Sequence, residues 1–485
     1  MSDREDDFEP EEPTNPMADL SPFSGGDDED DDREYDFDDS EFAEAADEVF
    51  AALLARIGEG APQPRLEPTR RVVELLGDPQ RAYPVIHLTG TNGKTSTSRM
   101  IESILRAYGL RTGLMTSPHL VRVNERIVID GQPISNRALA ANWADIQPYI
   151  ALVDGELTAA GEEPLTYFEA LTVLAFSSFA EAPVDVAVIE VGMGGEWDST
   201  NVADGQVAVF TPIALDHTQR LGSTVAEIAR TKSGIIKPVA QVVSAVQVPE
   251  AKAELERAIE LTESTLALEN SDFALESTTV AVGGQVITVR GRAGVYREHF
   301  LPLFGDHQAQ NAAVAIAAVE AFLGGGTQPL VGDVLAEGLA TVTSPGRLQI
   351  VGTEPTVLVD AAHNPHGAKA LASAVGEYFD FDEIVTVLGV LEDKDAAGII
   401  AELAPVTTLF VATQSGSDRA IPSHELSELV QDAGAEVSEE DSAETALREA
   451  RDWAARGPKR AVLVTGSITL VGEAIAIAAE EGWKE

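Results

Sequence analysis

The chain has 485 residues and carries 33 Lys plus Arg against 81 Asp plus Glu, a formal net charge of −48; a field of that sign repels phosphate backbones and argues against nucleic acid as a partner. Hydrophobic residues make up 44%, with no run near the roughly 18 apolar residues of a membrane span, which excludes a membrane helix and leaves a globular chain of two or three domains. The absence of cysteine excludes disulfides, thiolate metal sites and a Cys nucleophile, and with neither a basic start nor an apolar stretch in Met1–Pro10 to form a secretory signal, the expected compartment is the cytoplasm.

The acidic excess is uneven. Residues 1–48 hold 22 Asp or Glu against Arg4 and Arg33, a local net of −20, with few large apolar side chains to repay chain ordering. Residues 1–40 are therefore expected to form a disordered acidic tail, either an interaction tail or a solubilising leader. The remaining −28 fits adaptation to salt or plain composition. From Glu41, Phe42, Ala45, Ala46, Val49, Phe50, Leu53, Leu54 and Ile57 recur at helical spacing, until Gly58 and Gly60 can stop the helix. A second helix is expected at Thr69–Leu76, then a short buried strand at Tyr83–Thr89. Strands at Val184–Val191, Val207–Leu215 and Gln241–Val248 alternate with helices such as Tyr167–Phe179 and Val225–Thr231, which implies a mostly parallel sheet covered on both faces. Within 265–305, alternation in Thr278–Arg290 around Gly283-Gly284 reads as a hairpin insertion, and Gln308–Leu323 as an Ala-rich buried helix. The breaker cluster Thr341-Val-Thr-Ser-Pro-Gly346 separates a domain at 41–344 from a smaller α/β domain at 345–485, with strands expected at Thr356–Asp360, Glu383–Val390, Thr407–Ala412 and Arg460–Thr465.

The strongest chemical signal is Leu88-Thr-Gly-Thr-Asn-Gly-Lys-Thr-Ser96, between a strand and the helix expected at Ser96–Tyr108. A glycine-rich turn opening a helix aims N–H groups and the helix dipole at an anion, Lys94 supplies charge for the terminal phosphates, and Thr95 or Ser96 offers a hydroxyl to Mg²⁺. The common P-loop has a glycine five residues before Gly93; Leu88 stands there, so this is a compact variant. Glu190 ends a strand and Asp216-His217 occupies the equivalent place after another, at the sheet edge where open α/β folds bind ligands. Hydroxyl and carboxylate oxygens are the expected hard ligands of Mg²⁺; a lone His217 is otherwise a structural histidine. Lys232 and Lys237 are by default solvent-facing, though the chain has only eight lysines. Asp360-Ala-Ala-His363-Asn364-Pro365-His366 follows a strand, either as a ligand-binding cluster or as an Asx-type helix start.

Taken in order, the strings Thr89-Gly-Thr-Asn-Gly-Lys-Thr95, Thr116-Ser-Pro-His-Leu120 with Asn124-Glu-Arg-Ile127, Thr166-Tyr-Phe-Glu169, Glu190-Val-Gly-Met-Gly-Gly195 with Asp198-Ser-Thr-Asn201, Asp216-His-Thr218, Gly305-Asp-His-Gln308 with Gln310-Asn311, Pro345-Gly-Arg347 and Asp360–Pro365 resemble the Mur ligase superfamily, and within it the bacterial folylpolyglutamate synthase/dihydrofolate synthase enzymes, over roughly residues 41–485. The resemblance implies a P-loop domain of Mur ligase type with a mostly parallel sheet, followed by a smaller doubly wound α/β domain. It implies that Asn92, Gly93, Lys94 and Thr95 hold ATP phosphates and that Asn311, Arg347 and Asp360 complete the ATP contacts. Ser96, Ser117, Glu190 and His217 would surround two Mg²⁺ ions, and Lys232 matches a lysine often carbamylated in the family, as a ligand instead of a cation. Thr166, Tyr167, Phe168 and Glu169 with Trp197, Asp198 and Ser199 resemble pterin-binding positions, as do Pro64, Arg65 and Leu66, and His363 would lie near the glutamate or acyl-phosphate end. Lys94, His217, Lys232 and His363 are thus the expected catalytic set. Where the family usually has a basic residue and then Leu after the double glycine, this chain has Glu196-Trp197.

The implied reaction is ATP-dependent amide formation between L-glutamate and dihydropteroate or a reduced folate, through an acyl phosphate, by a monomer. Two alternatives stand beside it. A cell-wall Mur ligase usually carries a separate N-terminal domain for its UDP-sugar, and only about 40 ordered residues precede the phosphate loop here. A nucleotide-dependent switch would use the acidic tail to engage basic partners.

Overall fold

The computed structural model describes residues 39–58 and 61–483. The acidic segment 1–40 lies outside the described residues except for Asp39 and Ser40, which open a short 3₁₀ turn, Asp39–Phe42. The Asp39 carboxylate caps the helix Asn136–Ala160 by accepting from the N–H groups of Asn136 (2.9 Å) and Arg137 (3.1 Å).

Eight strands form the first sheet: β1 (Val85–Thr89), β2 (Thr112–Met115), β3 (Ile127–Ile129), β4 (Gln132–Pro133), β5 (Val186–Glu190), β6 (Gly205–Phe210), β7 (Gln241–Ser244) and β8 (Thr265–Leu268). Their order is β4-β3-β2-β5-β1-β6-β7-β8. Pairing from β2 through β8 is parallel, and only the β2-β3-β4 edge is antiparallel. Side chains alternate faces along each strand. Ile86, Leu88, Val186, Val188, Val207 and Val209 pack with Met100, Ile101 and Ile104 of the helix Lys94–Ala107 and with the Ala-rich helix Asp306–Gly324. Val85, Ala187 and Ile189 pack oppositely, against the helices Asn136–Ala160 and Tyr167–Glu181. Two-sided burial explains why these strands read as continuous apolar runs.

The runs overstate the ladder. Val207–Leu215 pairs only to Phe210 and Gln241–Val248 only to Ser244; the chain beyond Phe210 turns into a loop lining a cavity, which beyond Ser244 only Ala245 reaches. The insertion has three strands instead of a hairpin, β9 (Ala274–Ala281), β10 (Gly284–Arg290) and β11 (Val295–Leu301), while Thr265–Leu268 joins the main sheet.

The second sheet comprises β12 (Gln349–Thr353), β13 (Thr356–Val359), β14 (Glu383–Leu388), β15 (Leu409–Ala412), β16 (Val437–Glu439) and β17 (Arg460–Thr465), ordered β12-β13-β17-β14-β15-β16. It is parallel except for edge strand β12. Apolar clusters cover both faces, with Leu463 and Leu388 on one and Val462, Val464 and Val387 on the other. Segment 341–348 joins the two sheets without regular structure.

Candidate active site

β1, β5 and β6 run in the same direction in register, pairing Leu88 with Glu190 and Thr89 with Phe210, so the loops that follow them open at one edge. The second half closes over that edge, and between them lies a cavity of about 1270 Å³. After β1 the chain turns sharply. Gly93 has φ +86°, and a Cβ there would lie 2.6 Å from Asn311 Oδ1; a Cβ on Gly90 would lie 1.9 Å from Thr211 Oγ1. Only glycine fits these positions. Helix Lys94–Ala107 begins at once, with Lys94 and Thr95, both lining the cavity, in its first turn, where N–H groups have no partner within the helix.

Lys94 Nζ folds back to donate to the carbonyls of Gly90 (3.2 Å) and Thr91 (3.3 Å). Lys232, by default a solvent-facing residue, is 4% exposed and donates from Nζ to the Gly90 carbonyl at 2.7 Å. Burial, with the Lys94 charge adding, pushes its ammonium down to about 7. Lys237 is half-buried and donates to the Asn201 carbonyl at 2.8 Å.

Glu190 is 1% exposed and accepts on both carboxylate oxygens from Thr95 Oγ1, each at 3.0 Å, and from the Ser117 N–H at 3.4 Å. Burial pushes its carboxyl up, against the pull of Lys94 and the Thr95 hydrogen bond. The hydroxyl meeting this carboxylate is therefore Thr95's. Ser96, expected beside the metal, turns its buried Oγ to Ser344 Oγ (3.0 Å) and to Gln308 Nε2 (3.2 Å). His217 has left-handed backbone, φ +49°, and its Nε2 faces Asp216 Oδ2 at 3.8 Å; burial lowers it to about 4.

Asp216 is also where the second half arrives: Lys394 Nζ lies 3.0 Å from Oδ1 and His363 Nε2 3.8 Å from Oδ2. Although burial opposes it, the His363 contact and the charges of His217 and Lys394 hold the Asp216 carboxyl well below the usual range. His363 Nδ1 lies 2.9 Å from the Ala361 carbonyl. The Asp360 carboxylate accepts from the N–H groups of Leu348 (2.7 Å) and Ala362 (2.8 Å). Asn92 and Asn364 exchange amide hydrogen bonds (3.1 and 3.4 Å), and Asn92 Nδ2 lies 3.0 Å from His366 Nδ1. The Asx helix start is real, since Asn364 Oδ1 caps Gly367 at 2.8 Å, and it shares the residue that joins the halves.

The expected pterin end is built on the helix Tyr167–Glu181. Thr166 and Glu169 form a capping box, and Arg65 grips the Glu169 carboxylate at 3.0 and 3.1 Å. Arg65, Thr166, Phe168, Glu169, Trp197, Asp198 and Ser199 line the cavity. Asp198 accepts from Met193 N–H (2.8 Å) and Thr200 N–H (3.0 Å), and Ser199 Oγ lies 2.7 Å from Thr172 Oγ1. Three residues do not belong to the wall. Pro64 is exposed outside it, Leu66 packs into the core before helix Glu67–Leu75, and Tyr167 is 3% exposed beneath the Arg126 guanidinium, 5.2 Å from its ring centre.

Residues 88–319 match the Mur ligase middle domain, and 346–468 match the Mur ligase glutamate ligase domain. A dihydrofolate synthase/folylpolyglutamate synthase from Mycobacterium tuberculosis is 44% identical over 391 residues, 77% of this chain and 80% of that protein. The chain belongs to this family of Mur ligases. Among solved structures, a folylpolyglutamate synthase from M. tuberculosis complexed with ADP matches with TM-score 0.86 at 42% identity, covering 90% of this chain and 99% of that one. Escherichia coli FolC in complex with DHPP and ADP matches with TM-score 0.79 at 30% identity, covering 90% and 98%. In this Mur ligase the departure at Glu196-Trp197 places Trp197 in the cavity wall and leaves Glu196 exposed, its N–H bound to the Thr231 carbonyl at 2.8 Å. Sequence reasoning gave no role to His307, whose half-buried imidazole is pushed down to about 4 by desolvation, and missed the Asp216–Lys394 pair; partners 178 residues apart leave no local periodicity to read.

Proposed function

We propose that this chain is an ATP-dependent ligase that adds L-glutamate to a reduced folate, and to dihydropteroate, through an acyl phosphate, with release of ADP and phosphate. The observation that carries the reading is the convergence of the phosphate loop, Glu190, Lys232 and the second half's Arg347, Asp360 and His363 on one cavity. In this reading residues 41–344 form the ATP-binding domain and 345–485 close over it, as a cytoplasmic monomer.

A carboxylate is a poor electrophile because its leaving group would be oxide. Transfer of the γ-phosphoryl group creates a better one, and the amine of glutamate then displaces phosphate. Such transfers depend on positioning and charge neutralisation. Lys94 would turn from its loop carbonyls onto the β and γ phosphates, beside Asn92, Gly93 and Thr95, while Asn311, Arg347 and Asp360 hold the rest of the nucleotide. No three His, Cys, Asp or Glu side chains among the described residues cluster tightly enough to hold a metal by themselves. That suits Mg²⁺, which binds one or two carboxylates plus phosphates and waters. Thr95 and Glu190, with Ser117 and His217, would hold it, and it would supply neutralising charge for the transferring phosphoryl. The buried, easily deprotonated Lys232 supports carbamylation: its neutral amine adds to CO₂, forms an N–C bond and releases a proton. His363 would meet the acyl-phosphate end, and the wall from Arg65 through Thr166, Phe168 and Glu169 to Trp197, Asp198 and Ser199 would receive the pterin. The test is Lys94→Ala, expected to abolish ADP release; near-normal turnover would sink the assignment.

A further inference from the structure

The segment that joins the halves, 341–348, is tied to the phosphate-loop helix by two small side chains. Ser96, in the first turn of that helix and 2% exposed, meets Ser344 Oγ to Oγ at 3.0 Å across 248 residues of sequence. Neither side chain has reach to spare, so the bond fixes the backbone of 344 against the helix. Three residues on, the Arg347 N–H donates to the Ser344 carbonyl at 3.2 Å. The half-buried Arg347 side chain lines the cavity; its guanidinium donates to the Gly346 carbonyl at 3.3 Å, and its charge reaches the buried carboxyls of Asp360 and Glu190, which it pulls down against the upward push of burial. Its aim is set by the backbone that carries it. Ser96 also accepts from Gln308 Nε2, and Gln308 Oε1 accepts from Asn311 Nδ2 at 3.2 Å, the same Asn311 whose Oδ1 fills the space a Cβ on Gly93 would need. One buried polar chain thus runs from Asn311 through Gln308 and Ser96, at the start of the phosphate-loop helix, to the joining segment.

We infer that Ser344, held by Ser96, is a positioning residue that sets Arg347 toward the nucleotide. The inference rests on the proposed reading of Arg347 as an ATP contact, and it makes the junction between the halves part of the nucleotide site.

Calorimetric titration of ADP into the purified chain and its variants tests this without relying on turnover. Ser344→Ala should weaken ADP about fivefold, the effect of one buried hydrogen bond of ordinary strength. Arg347→Ala should weaken it at least as much, and the double variant should bind no more weakly than Arg347→Ala alone, because Ser344 acts through Arg347. Ser96→Ala, crossed with Arg347→Ala in the same way, probes the bond from its other end should Ser344→Ala fold poorly. Wild-type affinity in both serine variants, or losses that multiply in both doubles, would overturn the inference. Wild-type chain that fails to bind ADP at all would instead sink the reading of Arg347 on which it rests.

Discussion

Lys232 shows how one side chain's surroundings decide its chemistry. A lysine buried to 4% exposure with a single carbonyl acceptor at 2.7 Å is costly to keep charged, and burial moves it to about 7, where much of it is a neutral amine. A neutral buried amine is a nucleophile, and a carbamate there would be an anion beside Lys94. Lys232→Ala should lose most turnover and regain part of it with small carboxylates such as formate. Full activity in the unsupplemented variant would exclude a carbamate role. Thr95 and Ser96 make a related point. Adjacent residues on a helix point about 100° apart, so one hydroxyl meets Glu190 and the other the joining segment. The motif specifies that two hydroxyls are present, and only the three-dimensional placement of Glu190 and Ser344 tells which does what.

At the scale of elements, β1 carries His87 fully buried at its centre, Nε2 lying 2.9 Å from Thr200 Oγ1. Burial, helped by the Lys237 charge, pushes this imidazole from 6.5 to about 3. Below pH 6.5 the unfolded chain binds a proton that the folded chain refuses until about pH 3, so stability present above 6.5 is lost as pH falls through that window, by up to ~1.4 kcal/mol per pH unit. Thermal melts of His87→Gln should decline less steeply from pH 6.5 downward than wild type; parallel declines would show that His87 does not set the acid limb. The elements legible in the sequence are those with one strong period. β1, β5, the phosphate-loop helix and the Ala-rich helix are found within a few residues of the expected positions. Illegible were β2 and the 25-residue helix Asn136–Ala160, whose pattern is broken by Pro148 in its interior. The overlong readings at Leu215 and Val248 have a different cause. After Phe210 the apolar residues continue because the loop there builds a cavity wall, where periodicity does not distinguish strand from lining, whereas after Ser244 only Ala245 reaches that wall and Val246 and Val248 are exposed. The site was legible where motifs are local, as at Lys94 and Glu190. It was not where function depends on contact between the halves, as at Asp216 with Lys394 and Ser96 with Ser344.

For the whole molecule, the net charge of −48 opposes every proposed substrate, since ATP, folate and glutamate are anions. A few placed cations, Lys94, Arg347 and Lys394, face that field from inside the cavity. Screening shortens the field's reach, to about 8 Å at physiological ionic strength, while affecting buried contacts less. Raising the salt from low ionic strength should therefore lower KM for ATP; a KM that rises steadily with salt would mean that local attraction dominates the approach. The most direct measurement is ADP release by the purified chain with dihydropteroate and tetrahydrofolate each crossed against L-glutamate and other amino acids. Release should require ATP, a pteroate or folate acceptor and L-glutamate together, and ADP released equally well without acceptor or glutamate would contradict a ligase and describe a nucleotide switch.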